Sequence, residues 1–227
     1  PWGAGPDRGM RYQRGGESHL ISPDEVRQQV PLMGSTDDII LGFWTPDDGW
    51  SDPTCSTNAM AVGARQLGAE IARHTLVTAV DQLPDGRWKV ITDKGDVTCD
   101  HVVNAAGCYA DRVARMVGLR VPMANALHAY LITEPVPEIA ALDIELPVMR
   151  DDHLSGYIRQ EQEAGLIGIY EQVGAESVWH DRPGWELENP LFPIDYDIIG
   201  DRLERAFECM PCLEPRGIRQ TIRGAIT

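Results

Sequence analysis

The sequence lacks an excess of positive charge. Its 227 residues include 20 Lys and Arg against 35 Asp and Glu, which gives a formal net charge of -15. A surface of this sign repels nucleic acid and anionic membranes, so we expect neither as a partner. An anionic small molecule would need its own Arg or Lys at the binding site to overcome this field.

Long apolar runs are lacking too. None approaches the roughly 18 residues that a membrane span requires, so no span is expected. The five cysteines are an odd number without a signal-peptide pattern before them, which indicates free thiols in the cytoplasm or, in a eukaryote, the mitochondrial matrix. Cys209 and Cys212 form a lone CxxC around Pro211. This pattern favours a helix end, with a zinc or redox pair as the alternative.

Several catalytic motifs are missing. The sequence contains no GxSxG, no HExxH, no P-loop and no complete GxGxxG, which are marks of hydrolases, metalloproteases and nucleotide-binding proteins. The six histidines are spread too irregularly for a metal cluster, so no metal is expected. Because the chain starts at Pro1 and stops at Thr227 within an apparent strand, we expect a piece of a longer protein.

The central feature of the sequence is a predicted strand, turn and helix in residues 100–119. They read as a short buried strand at 101–104, a turn of small residues at Ala105, Ala106 and Gly107, and then a helix. A strand that feeds a helix through small residues brings bare N–H groups to a sheet edge, where nucleotides bind. An ordinary strand-to-helix turn explains these residues equally well, so both interpretations stay open.

Capping and turn residues place the other elements. Ser22 and Pro23 predict a helix start, and Asp52 with Pro53 opens a long helix to about residue 71. Gly86 in one turn and a second glycine at position 95 predict tight hairpins. The remaining expected elements are strands at 39–44, 75–83, 87–92, 96–99, 127–133, 155–160, 166–171 and 217–224, and helices at 109–117 and 199–207.

Strand–helix–strand pieces therefore alternate with pieces of an antiparallel sheet. We interpret this order as an α/β (α+β) fold, in which part of a doubly wound domain is interleaved with a domain built on a large, mainly antiparallel sheet. Two interwoven domains leave a cleft for a ligand. The expected parts are a loop and short helix at 1–35, the doubly wound part with a small meander at 36–120, the second domain at 121–215 and a return strand at 216–227.

Three side chains could carry chemistry. Tyr157 and Arg159 lie two apart on an expected strand and share a face, where phenol and guanidinium could bind a carboxylate. A solvated face with an Arg159–Glu161 ion pair is the competing interpretation. His128 lies on an apolar strand, either as a core residue or, if it faces a cleft, as a group that exchanges protons near neutral pH.

A set of stretches carries a family resemblance in a fixed order along the chain. They are residues 44–53, 64–69, 102–107, 127–134, 146–151, 157–161, 165–171 and 217–224. With them the chain resembles the flavin-dependent amine oxidoreductases of the D-amino-acid-oxidase superfamily, above all the dimethylglycine and sarcosine dehydrogenase branch.

The resemblance implies an FAD-binding domain interleaved with a substrate domain. In that pattern Val77 corresponds to a residue whose backbone meets the adenine end of FAD. Ala105, Ala106 and Gly107 correspond to the turn beside the dinucleotide. Tyr109 would face the flavin or pack under the helix, and both options stay open.

On the substrate side, His128 and Tyr157 match the family's histidine and tyrosine over the flavin. Arg159 is a candidate for binding the substrate carboxylate. The family's Gly-rich dinucleotide loop, its covalently flavinylated histidine and its C-terminal segments, which sometimes bind folate, have no counterpart in this sequence. Covalent or non-covalent FAD and the use of tetrahydrofolate therefore remain open.

The resemblance implies oxidation of a small N-methyl amino acid, such as dimethylglycine or sarcosine, by hydride transfer to FAD. Electrons would pass to oxygen or to an electron-transfer protein. One alternative is a non-catalytic ligand-binding or assembly subunit of the same fold. Another is a hydroxy-substrate oxidase, for example of glycerol phosphate, against which the acidic chain and the absence of a phosphate-sized basic cluster argue.

Overall fold

The chain divides into two compact units in the computed structural model, which describes residues 17–171, 176–178, 184–185 and 191–226. The first unit comprises residues 1–50, 128–175 and 191–224, and the second comprises 51–127, 176–190 and 225–227. Each unit is assembled from separated stretches of chain. The domain boundaries expected from the sequence stay predictions.

The described elements mix helices with antiparallel strands, which confirms the expected fold class. The helices are α1 (Pro23–Gln29), α2 (Pro53–Gln66), α3 (Ala110–Ala114), α4 (Pro137–Ala140) and α5 (Tyr196–Cys209). The strands are β1 (His19–Ile21), β2 (Gly42–Trp44), β3 (Val77–Gln82), β4 (Trp88–Thr92), β5 (Gly95–Cys99), β6 (Asn125–Thr133), β7 (Met149–Asp151), β8 (Gly156–Glu161), β9 (Ala164–Ile169), β10 (Ser177–Val178) and β11 (Ile218–Ile226).

The largest sheet has the order β10-β6-β9-β8-β7, and β11 also pairs with β6. β6, β9, β8 and β7 pair in antiparallel fashion, with Ile158 opposite both Ile167 and Met149. Successive residues of a strand point to opposite faces, so each strand supplies both a core face and an outer face. The hairpin of β8 and β9 turns at Gln162, which adopts a positive φ of 57°.

One face of this sheet forms the main core of the first unit. Leu131, Ile158, Ile167 and Ile169 are almost fully buried there and share a cluster with α5. The opposite face carries a smaller apolar cluster of Ile132, Ala164 and Leu166, against which tyrosines pack. The aromatic side chains of the sheet therefore lie on the face away from the main core.

The helix starts follow the capping residues. Ser22 forms a complete capping box with Glu25, and the Asp52 carboxylate accepts a hydrogen bond from the backbone N–H of Cys55 at 2.6 Å. Both predicted starts are confirmed. The predicted extension of α2 to residue 71 is wrong, because the helix ends at Gln66 and Gly68 then turns into the left-handed region at φ +94°.

The second unit contains the predicted meander, a three-stranded antiparallel sheet of β3, β4 and β5. The predicted strand at 101–104 is wrong: no described residue pairs with it, and Val103 is 86% exposed. A β-strand requires a hydrogen-bonded neighbour, which apolar composition alone does not supply. The helix expected over 109–117 is shorter, with α3 flanked by 3-10 turns at Gly107–Tyr109 and Arg115–Val117.

The CxxC lies where α5 stops. The helix ends at Cys209, and a 3-10 turn starts at Pro211. Burial raises the pKa of the Cys209 thiol to about 11 and raises that of Cys212, so both stay protonated near neutral pH. This agrees with the helix-end interpretation. Within the described ranges no group of three or more His, Cys, Asp or Glu side chains is arranged to hold a metal.

Candidate active site

His128 lies on the face of the large sheet that points away from the main core. We call it the aromatic face, because it carries the rings of His128, Tyr157 and Tyr170. His128 alternates along β6 with Ala129, which belongs to the buried face, so its ring points to the opposite side. The imidazole stacks on Tyr170 with ring centroids 4.7 Å apart and an interplanar angle of 14°. The Tyr157 ring lies 6.4 Å from it. The structure thus brings His128 and Tyr157 together with a third ring that sequence reasoning did not single out.

Tyr157 owes its position to the glycine that it faces. Tyr157 lies on β8, directly opposite Gly168 of the neighbouring strand β9. A Cβ built on Gly168 would approach the Tyr157 ring to 2.2 Å. Only a residue without a side chain leaves this space to the ring. Burial is the main cause that raises the pKa of the Tyr157 phenol above its usual value, and Tyr170 raises it further.

Glu171 places a buried carboxylate behind His128. Its side chain is 3% exposed, and its Oε2 lies 3.5 Å from His128 Nδ1. The other oxygen, Oε1, has no hydrogen-bond partner among the described residues. A buried carboxylate oxygen without a donor is costly, which is typical of a functional site. Glu171 was missed as a site residue, although it closes the stretch 165–171 that carried the resemblance.

Arg159 lies on the same face, and its charge is already paired. Its guanidinium forms an ion pair with Glu161 at 2.6 Å and donates to the Gln160 carbonyl at 3.0 Å. Its Cζ lies 4.2 Å from the centre of the Trp50 ring, and Trp50 in turn donates to Glu145. This geometry matches the Arg–Glu pair that was the competing interpretation. A carboxylate-binding role for Arg159 stays a prediction.

Arg150 is the second arginine of this face, and sequence reasoning passed over it. It lies on β7 directly opposite Tyr157. Its Cζ is 6.0 Å from the centre of the Tyr157 ring and 5.9 Å from that of Tyr170. No ion pair of Arg150 occurs in the part of the chain that the structure describes, and the residue is exposed.

The small-residue turn of the second unit is held by Asn104. Its amide donates to the Ala110 carbonyl at 2.9 Å, and its Oδ1 accepts from the Ala106 N–H at 3.2 Å. Gly107 has φ +53°, and a Cβ added there would meet nothing within 4 Å. Ala105 is exposed beside it. The turn is therefore a bare backbone surface that a flat ligand can approach closely.

Val77 and Tyr109 lie elsewhere in the second unit. Val77 starts β3, an edge strand of the small sheet, next to a register irregularity before Ala79. The Tyr109 ring stacks on Trp185 at 5.2 Å, and Arg112 lies 4.2 Å above the same indole. This contact favours packing for Tyr109, while a position beside the flavin stays a prediction.

A family model for FAD-dependent oxidoreductases, DAO, matches residues 5–226. The chain belongs to the DAO family. Within this family it is 39% identical over 217 residues to the mitochondrial dimethylglycine dehydrogenase of Mus musculus, a match that covers 93% of the chain and 25% of that protein. It is 34% identical over 215 residues to the mitochondrial sarcosine dehydrogenase of the same species, covering 92% of the chain and 22% of that protein.

The fold of this DAO-family chain has solved counterparts. The crystal structure of L-proline dehydrogenase from P. horikoshii superimposes with a TM-score of 0.74 at 26% identity, covering 95% of this chain and 55% of that one. The chain thus spans about a quarter of the curated relatives and about half of the solved one. None of the described helices is both long and apolar enough to cross a membrane.

FAD is the cofactor of the DAO family, and the described residues fit one side of it. The open space at Gly107 and the Asn104-tied turn leave backbone exposed where a dinucleotide can lie. The Ala106 N–H already donates to Asn104, so the turn offers mainly the open space at Gly107, and FAD binding by these residues stays a prediction.

Proposed function

We propose that this chain serves the FAD-dependent oxidation of a small N-methyl amino acid of the dimethylglycine or sarcosine type. The observation that carries the proposal is the cluster of His128, Tyr157 and Tyr170 beside the buried carboxylate of Glu171. The names of the two curated relatives support the same substrate class.

The cluster suits a methylated amine. Aromatic faces attract methylated ammonium groups through their quadrupoles, and a nearby carboxylate adds charge attraction. The Tyr170 and His128 rings stack at 4.7 Å, and Tyr157 lies at 6.0 Å from Tyr170, so three ring edges and faces line one patch.

Oxidation at carbon requires the amine to be unprotonated. In this proposal His128 takes the proton. Its Nδ1 lies 3.5 Å from Glu171 Oε2 without a hydrogen bond among the described residues, and the nearby carboxylate would stabilise the protonated imidazole. Tyr157 has a raised pKa, so it keeps its proton and acts as a hydrogen-bond donor rather than as a base. FAD, when bound, supplies the two-electron acceptor for the hydride.

The proposal also covers the FAD site, the acceptors of the electrons and of the one-carbon unit, and the location of the protein. Val77, Ala105, Ala106, Gly107 and Tyr109 contribute to the FAD site from the second unit, and Arg159 remains a candidate near the substrate. Oxygen or an electron-transfer protein takes the electrons, and tetrahydrofolate can take the one-carbon unit. The mitochondrial matrix or the cytoplasm is the proposed location.

The test is single-turnover flavin reduction in the full-length protein. Dimethylglycine should bleach the flavin of the wild type, and His128→Ala or Tyr157→Phe should slow this step by about 100-fold or more for the base and about 10-fold for the donor. Tyr196→Phe is the matched control, because Tyr196 is exposed at the start of α5.

Unchanged reduction rates in both variants would refute the assigned roles. A purified protein without flavin absorbance that still binds dimethylglycine would refute oxidation and support the non-catalytic binding alternative.

A further inference from the structure

The two arginines on the aromatic face differ in what their charge already meets. Arg159 faces Glu161 at 2.6 Å and lies under the Trp50 indole. A ligand carboxylate would have to displace Glu161 and break a compact charged pair. Among the described residues the Arg150 side chain has no hydrogen bond or ion pair, and its Cζ lies 6.0 Å from the centre of the Tyr157 ring and 5.9 Å from that of Tyr170. Its hydrogen-bond donors are available to a ligand.

Access also distinguishes Arg150. It is exposed on β7, the last strand in the described order of the sheet, and its side chain lines a broad groove of the first unit. Phe43, Trp44 and Trp50 line the same groove. A small molecule can therefore reach the guanidinium without a rearrangement of the core.

The rings have a cationic side chain, Arg150, and an anionic one, Glu171, near them. The Tyr170 ring is close to both Arg150 and His128, since its centre is 5.9 Å from Arg150 Cζ and 4.7 Å from the centre of the His128 ring. Behind His128 lies the buried carboxylate of Glu171. A small zwitterion matches this arrangement with its carboxylate toward Arg150 and its amine toward His128 and Glu171.

The net charge of the chain makes such an anchor necessary. With -15 formal charges, the surface opposes an approaching carboxylate. A planar guanidinium compensates by meeting a carboxylate with two parallel hydrogen bonds.

We propose that Arg150 is the carboxylate-binding residue of the substrate site and sets the preference for amino acids over simple amines. The proposal rests on the proposed function for the nature of the substrate. Arg159 then has a supporting role, in which its pair with Glu161 and its contact with Trp50 fix the neighbouring surface.

The experiment measures binding by isothermal titration calorimetry on the full-length protein. Trimethylglycine and choline are the probes, because they share a quaternary trimethylammonium group and differ in carboxylate against hydroxyl. Neither has an amine lone pair to assist hydride loss, so binding is measured without turnover. The variants are Arg150→Gln, Arg150→Lys and Arg159→Gln, with Arg65→Gln as a control on the exposed side of α2.

The wild type should bind trimethylglycine more tightly than choline. Arg150→Gln should weaken trimethylglycine by about 10- to 100-fold, the usual effect of losing charged hydrogen bonds, and leave choline unchanged. Arg150→Lys should recover part of the loss, because it restores the charge without the planar fork. Arg159→Gln and Arg65→Gln should keep the wild-type preference.

Two results would overturn the proposal: a wild type that does not discriminate between the probes, or an Arg150→Gln variant that still does. Loss of discrimination only in Arg159→Gln would move the site to that residue. Failure of the oxidation itself is visible separately, as a flavin that N-methyl amino acids do not reduce although discrimination between the probes is intact.

Discussion

The two faces of the sheet formed by β6, β9, β8 and β7 come from the same strands yet differ in kind. On one face Leu131, Ile158 and Ile167 are at most 1% exposed and pack into the main core with α5. On the other, His128 and Tyr157 make ring contacts around a buried carboxylate. One face contributes stability, and the other holds chemical groups in place.

The difference follows from alternation along each strand. When every second residue of a strand is buried in the core, the residues between them point to the other face. They can be polar or aromatic without disturbing the core. Rigidity on the first face then fixes positions on the second. Substitutions on the core face should therefore lower the free energy of unfolding, whereas those on the aromatic face should act mainly on binding and reaction.

The largest loss of stability is expected on the core face. Ile167→Ala should lower the free energy of unfolding by about 3 kcal/mol, because it removes a fully buried side chain and leaves a cavity. Urea unfolding measures the change. Ile40→Ala is the control, since Ile40 is 90% exposed and its replacement should have little effect. Equal losses in the two variants would contradict the division into faces.

An intermediate loss is expected at Gly168, which faces the Tyr157 ring on the aromatic face. Gly168→Ala should cost about 2 kcal/mol, because the new methyl group collides with the Tyr157 ring. It should also slow flavin reduction by displacing that ring. Gly200→Ala is the control: a Cβ there meets nothing within 4 Å, and alanine favours the helix α5.

The collision can be isolated by a double-mutant cycle. In a Tyr157→Ala background, Gly168→Ala should cost much less than in the wild type, because the ring that it meets is gone. A cost that is the same in both backgrounds would show that Gly168 acts through the backbone and not through Tyr157.

The smallest change in stability is expected for Tyr157→Phe, within about 0.5 kcal/mol at neutral pH, since no hydrogen bond of its hydroxyl is described. The two proteins should differ in their free energy of unfolding at high pH. The folded pKa of Tyr157 is raised by burial, so its contribution to stability is present below the unfolded value near 10 and is lost as pH rises through the folded value.

Near-ultraviolet titration of phenolate absorbance measures this effect. The difference between the wild type and Tyr157→Phe should show one phenol that ionises above the usual value near 10. The variant should also lose less stability than the wild type over the same alkaline range. A phenol in the difference that ionises at or below the usual value would contradict burial of Tyr157 on the aromatic face.

Much of the fold could be predicted from local sequence. Ser22 and Asp52 specify helix starts because their side chains satisfy free N–H groups within three residues. The meander followed from glycines in its turns, since those turns need positive φ. The strand at 101–104 could not be judged in this way, because pairing depends on neighbours distant in the chain.

Those parts of the candidate site that depend on local spacing or on the family resemblance could be predicted from the sequence. The shared face of Tyr157 and Arg159 follows from a spacing of two, and the resemblance pointed to His128. The engagement of Arg159 with Trp50 joins residues more than 100 positions apart, which no local pattern reports. The burial of Glu171 likewise depends on what packs around it.

The sequence by itself determined the family, the fold class, the helix caps and the alternation that separates the two faces, because these depend on residue identity and short spacing. Only the tertiary structure decided which arginine has its charge already paired, which carboxylate lies buried behind His128, and why Gly168 must lack a side chain. The place of Glu171 beside His128 depends on the pairing of β6 with β9, which are distant in sequence, whereas Gly168 meets Tyr157 across the hairpin of β8 and β9. In both cases the register between strands decides which side chains meet, and register is fixed by packing of the whole sheet.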